Sequence, residues 1–367
     1  MPPETISTLS KRVFSGGTPS TQIESYWDGN IPWLSSGETS NRYISKTESH
    51  ITQEGVDNSS TKLAKKGTIV IASAGQGSTR GQTSFLLIDT YINQSVIAIE
   101  IDQSKANPQF VFYNISTRYE ELRSISDGTS SRGSLTTKLI GELIVDLPDR
   151  QTQDRIVSII QAIDDKILVN QSINDNLQAI AYSKYNHLKR SCVDQVSLSD
   201  IAEVCYGKDH KSLGDGSIPV YGSGGIMRFV ERPLYDGKES VLIPRKGTLN
   251  NVMFVSTPFW SVDTMFYTKM KCQTAGKYLY FYLRDLDLAS MNSGSAVPSM
   301  TTEILNDIQV PFPDKAALDD FDEELQSLFD MMKINEDQIN HLSSIRDVLL
   351  PKLMSGEIDV STLEIPN

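Results

Sequence analysis

The sequence predicts a mixed α/β protein made of two similar globular halves, each followed by a long amphipathic helix. Apolar side chains recur at three- and four-residue spacing over residues 149–188 and 314–353, which is the periodicity of a helix with one buried face. The two stretches lie 165 residues apart, and each begins at the aspartate of a Pro-Asp pair. Short apolar and β-branched runs separated by Gly, Ser, Asn and Pro fill the remaining sequence, which indicates strands and turns.

Each long helix has a predicted apolar seam, and the two seams are expected to pack against each other. Both seams contain an asparagine at the same step, Asn170 and Asn335. A polar side chain in such a seam lowers stability but can fix which helices pair and in what register. The predicted seam residues are Ile156, Ile160, Ile163, Ile167, Asn170 and Leu177 in the first helix, and Phe321, Leu325, Leu328, Met332, Asn335 and Leu342 in the second.

The globular halves repeat one order of segments, which indicates an internal duplication. Strands are predicted at residues 67–73, 85–88 and 96–101 of the first half, and at residues 240–243 and 252–255 of the second. A short aromatic helix follows in each half, near Phe110 and near Tyr278. A Ser/Gly-rich loop comes next, at residues 128–134 and 293–299.

Composition and charge exclude several classes of protein. The 367 residues are 39% hydrophobic, enough for two or three domains with real cores. We expect a cytoplasmic protein, because the chain has neither a run of about 18 apolar residues nor a signal peptide. Three cysteines and four histidines lie far apart, so neither a disulfide framework nor a metal site is predicted.

The net charge of −12 is unevenly distributed. Residues 315–367 contain 4 Lys+Arg and 12 Asp+Glu and so carry −8 of it. The globular halves are therefore near neutral, and either one can present a local basic surface to a nucleic acid.

Two short motifs resemble catalytic signatures, and neither is complete. Residues 107–110 (NPQF) are one residue short of the Asn-Pro-Pro-Phe motif of amino-methyltransferases, and Pro108 is interpreted as the start of a helix. Asp149, Asp164 and Lys166 match a loose metal-nuclease pattern, but that chemistry needs carboxylates that converge on a metal. We expect Asp164 and Lys166 on the exposed side of the first long helix. An enzymatic function is therefore not predicted.

Several short motifs occur in corresponding order along the two halves. They are residues 16–19 (GGTP), 31–34 (IPWL) and 67–70 (GTIV) in the first half, 218–225 (IPVYGSGG), 243–248 (IPRKGT) and 262–264 (VDT) in the second, and 349–358 (LLPKLMSGEI) near the C-terminus. In this order they resemble the specificity (S) subunit of type I restriction-modification systems. The resemblance covers essentially the whole chain and rests on the order of the motifs.

This resemblance implies two target-recognition domains, at residues 1–148 and 191–313. They are joined by conserved spacer helices, at residues 149–190 and 314–367 with the C-terminal tail. The helices are expected to pack antiparallel as a coiled coil, so that the internal repeat is pseudo-two-fold. The implied function is non-catalytic binding of a bipartite, asymmetric site on double-stranded DNA, one half per domain.

The resemblance also implies the partners. Two modification subunits, which are adenine-N6 methyltransferases, would dock on the paired helices, and restriction subunits with motor and nuclease activities would join them. The acidic set Asp319, Asp320, Asp322, Glu323 and Glu324 is expected to belong to this docking surface. No cofactor is expected in this chain, whereas S-adenosylmethionine, ATP and Mg are expected in the partner subunits; no membrane partner is expected.

Recognition of DNA requires cations near phosphates and planar donors or acceptors that reach base edges. Gln76 is a candidate to contact adenine, and Arg80 is a candidate to contact guanine or a phosphate. Arg245 and Lys246 lie on a turn directly after a predicted strand and are the strongest candidates. The other candidates are Ser78, Thr79, Lys208, His210, Lys211, Tyr221 and Ser223, with Ser131, Arg132 and Ser295 as secondary candidates.

A hypothesis of a different class stays open beside this one. The chain could be a non-catalytic two-domain scaffold or adaptor of a related defence complex, without DNA readout of its own. The net negative charge argues against tight DNA binding by the isolated chain, because phosphate contacts supply most non-specific affinity. Tight binding is therefore expected to need the more basic partner subunits.

Overall fold

A computed structural model describes residues 3–75, 77–127, 133–291 and 299–361. The chain divides into two compact units, Met1–Leu168 with Ile339–Asn367, and Val169–Gln338. Each unit contains a globular α/β part and a segment of both long helices. The predicted mixed α/β class is confirmed.

In the first unit, five short helices and eleven strands precede the first long helix among the described residues. The helices are α1 (Ile6–Leu9), α2 (Gln53–Asp57), α3 (Pro108–Ser116), α4 (Tyr119–Asp127) and α5 (Thr137–Glu142), followed by the long α6 (Arg150–Ser191). The strands are β1 (Pro3–Thr5), β2 (Ser10–Ser15), β3 (Trp27–Leu34), β4 (Tyr43–Ile44), β5 (Ser49–Ile51), β6 (Lys62–Ala64), β7 (Ile69–Ala72), β8 (Thr83–Leu86), β9 (Thr90–Ile92), β10 (Val96–Ile101) and β11 (Ile144–Asp146). Short 3-10 turns lie at Glu24–Tyr26 and Ser36–Ser40.

The second unit repeats this order with fewer elements. Its short helices are α7 (Leu198–Ile201), α8 (Gly276–Asp285) and α9 (Thr302–Asn306), followed along the chain by the long α10 (Lys315–Met354). Its strands are β12 (Asp194–Ser197), β13 (Ala202–Tyr206), β14 (Asp215–Gly222), β15 (Gly225–Val230), β16 (Ser240–Pro244), β17 (Met253–Val255), β18 (Trp260–Ser261), β19 (Met265–Met270) and β20 (Gln309–Phe312). A 3-10 turn lies at Gln273–Ala275.

The sheets of the two units share one strand order, and the first unit has one additional edge strand in each of the two larger sheets. The main sheet has the order β2-β10-β7-β8-β4 in the first unit and β13-β19-β16-β17 in the second. A second sheet has the order β5-β3-β9-β6 or β15-β14-β18, and its central pair, β3 with β9 or β14 with β18, is parallel. A short ladder pairs β1 with β11, and β12 with β20. These matches confirm the internal repeat.

The aromatic helices α3 and α8 form the centres of the two cores. Phe110, Phe112 and Tyr113 are buried in the first unit, and Tyr278 and Phe281 are buried in the second. Pro108 occupies the first turn of α3, and the Asn107 side chain accepts a hydrogen bond from the Gln109 amide. The interpretation of Pro108 as a helix start is therefore confirmed, and Asn107 is its N-cap.

Each long helix begins one residue after the aspartate of its Pro-Asp pair. Asp149 accepts a hydrogen bond from the Thr152 amide at 2.9 Å, and Asp314 accepts one from the Ala317 amide at 3.0 Å. A carboxylate that caps free amides at a helix N-terminus also stabilises the positive end of the helix dipole. The repeated Pro-Asp pair is thus the helix start signal of both halves.

The two long helices pack together and run antiparallel within each unit. In the second unit Lys184 of α6 forms an ion pair with Glu324 of α10, and Asn174 accepts a hydrogen bond from Asn335 at 2.8 Å. From Lys184 back to Asn174 along α6, the partner on α10 thus moves forward from Glu324 to Asn335, which is the antiparallel order. In the first unit the buried side chains at Ile156 and Ile160 share a core with those at Leu350 and Leu353.

Burial varies along the predicted seam. The buried members are Ile156, Ile160, Ile167, Asn170, Leu177, Phe321, Leu325 and Asn335, whereas Ile163, Leu328, Met332 and Leu342 are half-buried. Asn170 donates to Gln338 at 3.1 Å, while Asn335 donates to Asn174. The two asparagines of the repeat therefore form separate contacts on the facing helix.

Asp164 corrects one expectation from the sequence. It is 2% exposed, not solvated, and it accepts hydrogen bonds from Tyr43 at 2.6 Å, Arg42 at 3.2 Å and Arg346 at 3.1 Å. Burial and the Asp164 carboxylate raise the pKa of Tyr43. The carboxylate joins α6 to α10 and to the strand β4, a set of partners that helical periodicity alone does not reveal. Lys166 is exposed, as expected.

The second unit also contains a buried ionic cluster, and its central residue is a lysine instead of an aspartate. The Lys277 ammonium, in a side chain only 1% exposed, donates to Glu239 at 2.7 Å and to Asp322 at 2.6 Å. Burial raises the pKa of Glu239 in spite of this contact. Asp322 is therefore used inside the unit, and Asp319 is likewise bonded to Thr274 at 2.7 Å. The sequence predicted that Asp319 and Asp322 belong to a docking surface, whereas both carboxylates are bonded to residues of their own unit.

Candidate nucleic-acid interface

The turn after β16 presents the two strongest candidates in the second unit. The Arg245 guanidinium donates to the Asp263 carbonyl oxygen at 3.2 Å and lies 5.5 Å from the ring centroid of Tyr206. Lys246 is exposed, and its backbone amide donates to the Thr264 carbonyl oxygen. A carbonyl and an aromatic ring thus hold the arginine in place, which reduces the side-chain entropy lost when it binds a ligand.

The hairpin between β14 and β15 lies directly beside this turn. A Cβ atom placed on Gly247, whose φ is +85°, would lie 2.7 Å from the Ser223 Oγ. The Asn251 side chain donates to the Ser223 carbonyl oxygen at 2.7 Å. Ser223 is therefore close to Arg245 and Lys246. Tyr221 is half-buried, and burial raises the pKa of its hydroxyl.

The loop that follows β13 contributes three further candidates. Its start is fixed by two hydrogen bonds of 2.8 Å, from the Lys208 amide to Ser261 and from the Trp260 indole to the Lys208 carbonyl oxygen. The side chains of Lys208 and Lys211 are exposed, whereas His210 is half-buried. Since β13 ends at Tyr206, which lies against Arg245, this loop leaves the same region of the domain.

The corresponding loop of the first unit, between β7 and β8, is rich in glycine. Gly75, Gly77 and Gly81 have φ values of +136°, +68° and +88°, which side chains rarely tolerate. Two bonds hold the loop, from Tyr119 to the Ser78 carbonyl oxygen at 2.9 Å and from Arg123 to that of Gly77 at 2.8 Å. Ser78 is exposed and Thr79 is half-buried. Gln76, Arg132, Ser131 and Ser295 lie outside the described residues.

Arg80 differs from its predicted role as an exposed base or phosphate contact. Its side chain is buried, with the residue 6% exposed, and pairs with Asp127 at the end of α4. The ion pair attaches the loop to α4 and directs the guanidinium inward. We therefore assign Arg80 to the support of the loop.

Sequence reasoning missed Tyr206, which is half exposed and supports Arg245. It also missed the exposed apolar residues of β15, Ile226 and Met227. The signal for both was present, because each lies next to a loop that already contained candidates.

Among the described residues, no group of three or more His, Cys, Asp or Glu is arranged to hold a metal ion. No helix in the described part of the chain is long and apolar enough to cross a membrane.

The chain contains two copies of one α/β domain, each with a candidate loop after the corresponding strand. Each copy packs on a segment of two long antiparallel helices. These features define a class of internally duplicated two-domain proteins. The family model described as "Type I restriction modification DNA specificity domain" matches the chain twice, at residues 10–179 and 191–343. The chain belongs to this family.

Relatives match over most of the chain. The specificity subunit of the type I restriction enzyme MjaIX of Methanocaldococcus jannaschii is 24% identical, over 96% of this chain and 92% of the relative. The HindI specificity subunit of Haemophilus influenzae is 21% identical, over 90% and 94%. The crystal structure of a type I S subunit from M. genitalium has the same fold, with a TM-score of 0.57 and 18% identity over 96% and 95% of the two chains. The predicted resemblance is confirmed.

Proposed function

We propose that this chain directs a type I restriction-modification complex to a bipartite, asymmetric site on double-stranded DNA, with one half-site bound by each recognition domain. The observation that carries this proposal is the position of the candidate loops. They connect β7 to β8 in the first unit and β16 to β17 in the second, which are equivalent strands of the two main sheets.

The chemistry of these two loops supports half-sites of different sequence. The loop of the first unit has three glycines with positive φ, so its backbone can approach DNA closely. The loop of the second unit begins with Arg245 and Lys246, which suit contacts to guanine and to phosphate. We assign residues 1–148 and 191–313 to the recognition domains, and residues 149–190 and 314–367 to the spacer helices and tail.

In this proposal the chain is non-catalytic, acts in the cytoplasm and binds no cofactor itself. S-adenosylmethionine, ATP and Mg belong to the modification and restriction subunits in this proposal. An in vitro assay with radiolabelled S-adenosylmethionine tests it. Methyl transfer to DNA should require both the modification subunit and this chain, and the isolated chain should neither transfer methyl groups nor bind S-adenosylmethionine. Binding of S-adenosylmethionine by the isolated chain would contradict the proposal, and assembly without sequence-selective transfer would favour the scaffold.

One face of the helix pair supports docking of the modification subunits. Five apolar residues on it are between 36% and 57% exposed: Val169, Ile173, Ile180, Met331 and Ile334. Each comes one residue before a position of the three- and four-residue spacing that forms the seam, namely Asn170, Asn174, Ala181, Met332 or Asn335. One residue is a step of about 100° around a helix. Because the helices are antiparallel, the same step leads to the same side of the pair.

The globular part of the second unit covers the opposite side. Gln178 and Tyr182 each follow a seam residue, and they bond to Tyr280 and Asp285 of that part at 3.3 Å and 2.8 Å. Within the described residues of the second unit, the apolar face is thus the side of the pair that the globular part leaves uncovered. Contiguous exposed apolar surface marks protein–protein interaction sites, and a modification subunit is the proposed occupant.

A double variant tests this docking face. Ile173→Asp with Ile334→Asp places two charges on the apolar face, and co-purification of the modification subunit should be lost. Ser172→Asp is the matched control, because Ser172 is exposed and lies about 200° from Asn170 around α6; it should retain the partner. Circular dichroism melting checks that the variants fold. Unchanged affinity in the double variant would show that docking occurs elsewhere.

A further inference from the structure

The β14–β15 hairpin of the second unit exposes large apolar side chains beside its tip. Ile226 is 53% exposed and Met227 is 61% exposed, and both directly follow the glycine-rich turn. Phe229 is also exposed on the same strand. Burial of such side chains is favourable by about 25 cal/mol per Å², so a strand that exposes several of them suits a ligand that covers them.

The backbone gives this hairpin the form of a protruding ribbon. Among the strands that the structure describes, β15 lies at the edge of its sheet and pairs only with β14. The ladder shifts register where Val220 pairs with Arg228 and Tyr221 pairs with Ile226, which leaves Met227 as the extra residue of a bulge. Bulges redirect side chains and are frequent beside functional sites. The Met227 sulfur lies over Gly222, where a Cβ would come within 2.5 Å of it.

The neighbours of the tip indicate the kind of ligand. Ser223 at the tip lies beside the turn of Arg245 and Lys246, as the Gly247 contact shows, and Lys246 is exposed. Cations beside a two-stranded ribbon complement a DNA duplex, since the major groove admits such a ribbon and the phosphates line its edges. A ribbon in that groove meets one apolar group on the bases, the C5-methyl group of thymine.

We infer that the β14–β15 ribbon enters the major groove and that Ile226 and Met227 contact thymine methyl groups there. This inference rests on the proposed function and adds the base pair and the residues that select it. The ribbon is specific to the second domain. In the first unit the segment between β3 and β5 contains the 3-10 turn Ser36–Ser40 and β4 instead of a tight turn. Thymine methyl contacts of this kind are therefore expected in one half-site only.

Replacement of thymine by uracil tests the inference, because uracil lacks only the methyl group. The binding constant of the complex of this chain with its modification subunits is measured by fluorescence anisotropy at fixed salt. The DNA carries the methylated motif, with each thymine replaced in turn. At a contacted thymine the Kd should rise about fourfold, the change expected for one methyl group removed from an apolar contact.

The double variant Ile226→Ser with Met227→Ser should bind thymine DNA more weakly and should no longer distinguish it from uracil DNA. Val193→Ser is the matched control, because Val193 is 93% exposed outside the hairpin; it should keep the wild-type discrimination. Equal binding of thymine and uracil DNA by the wild type at every position would overturn the inference. A double variant that keeps full discrimination would do the same.

Two further outcomes separate this inference from the proposed function. A double variant that loses its modification subunit would show that the ribbon binds protein, which overturns the DNA contact alone. A wild-type complex that selects no DNA sequence overturns both. Thermal melting of each variant against the wild type distinguishes these results from unfolding.

Discussion

Asp164 offers a direct test of how the first recognition domain is attached to the helices. Asp164→Asn keeps the size of the side chain but removes the charge that Arg42 and Arg346 share. It also places an amide hydrogen-bond donor where at least one arginine needs an acceptor. The Asp164 carboxylate is 2% exposed, so water cannot substitute for it.

The expected magnitude follows from the surroundings of the two arginines. Removal of one partner of a buried ion pair destabilises a protein by about 3–5 kcal/mol. The side chains of Arg42 and Arg346 are 22% and 14% exposed, and Arg346 keeps a second partner in Asp347 at 2.9 Å. The lower end of the range applies, about 3 kcal/mol.

Urea unfolding followed by tryptophan fluorescence measures this loss in the first unit alone. In a Trp260→Phe background, the remaining tryptophans are Trp27 and Trp33, which lie in the first unit with ring centroids 5.1 Å apart. With a slope of about 3 kcal/mol per M of urea, the midpoint should fall by about 1 M. Asp165→Asn is the matched control, because Asp165 is exposed on the same turn. Equal midpoints for the two variants would show that the Asp164 charge does not stabilise the first unit.

Three other predictions concern the second unit. Burial raises the pKa of Glu239 from its usual value of 4.5, so the stability that its proton provides is present below pH 4.5 and is lost as the pH rises through the folded pKa. Glu239→Gln should reduce this loss of stability, as measured by urea midpoints across that pH interval. An unchanged pH profile would contradict the raised pKa of Glu239. Asn170→Leu should raise the free energy of unfolding by about 1 kcal/mol in thermal or urea melts. The reason is that the buried Asn170 Oδ1 has no hydrogen-bond partner among the described residues, and the exposed Gln338 can return to water. A lower melting temperature of the variant would refute this prediction. Arg245→Ala should reduce discrimination at one base pair by about 1–3 kcal/mol in competition binding. The control Arg190→Ala, at an exposed position on α6, should leave this discrimination unchanged. Equal effects of the two variants would show that Arg245 does not contact the base pair.

The fold was largely predictable from the sequence because its strongest signals are local and repeated. The helix periodicity and the two Pro-Asp starts set the long helices within a few residues. The strand predicted at residues 96–101 matches β10, and the one at 240–243 extends one residue further in β16. Such patterns depend on neighbours along the chain, so one sequence is sufficient to detect them.

Contacts between distant segments were not predictable in the same way. The burial of Asp164 depends on partners 122 and 182 residues away along the chain. Arg80 appeared suited to DNA because it lies in a glycine-rich loop, yet its partner on α4 lies 47 residues away. A charged residue has the same sequence signal in water and in a buried ion pair, and only the fold determines which environment it occupies.

The most direct measurement is single-molecule sequencing of genomic DNA from a methylation-free host that expresses this chain with its modification subunit, scored for N6-methyladenine. The control strain lacks this chain. We expect a bipartite motif with two different half-sites, methylated only when the chain is present. An assembled complex that leaves no methylated motif would contradict the proposed function and would favour a scaffold without DNA readout.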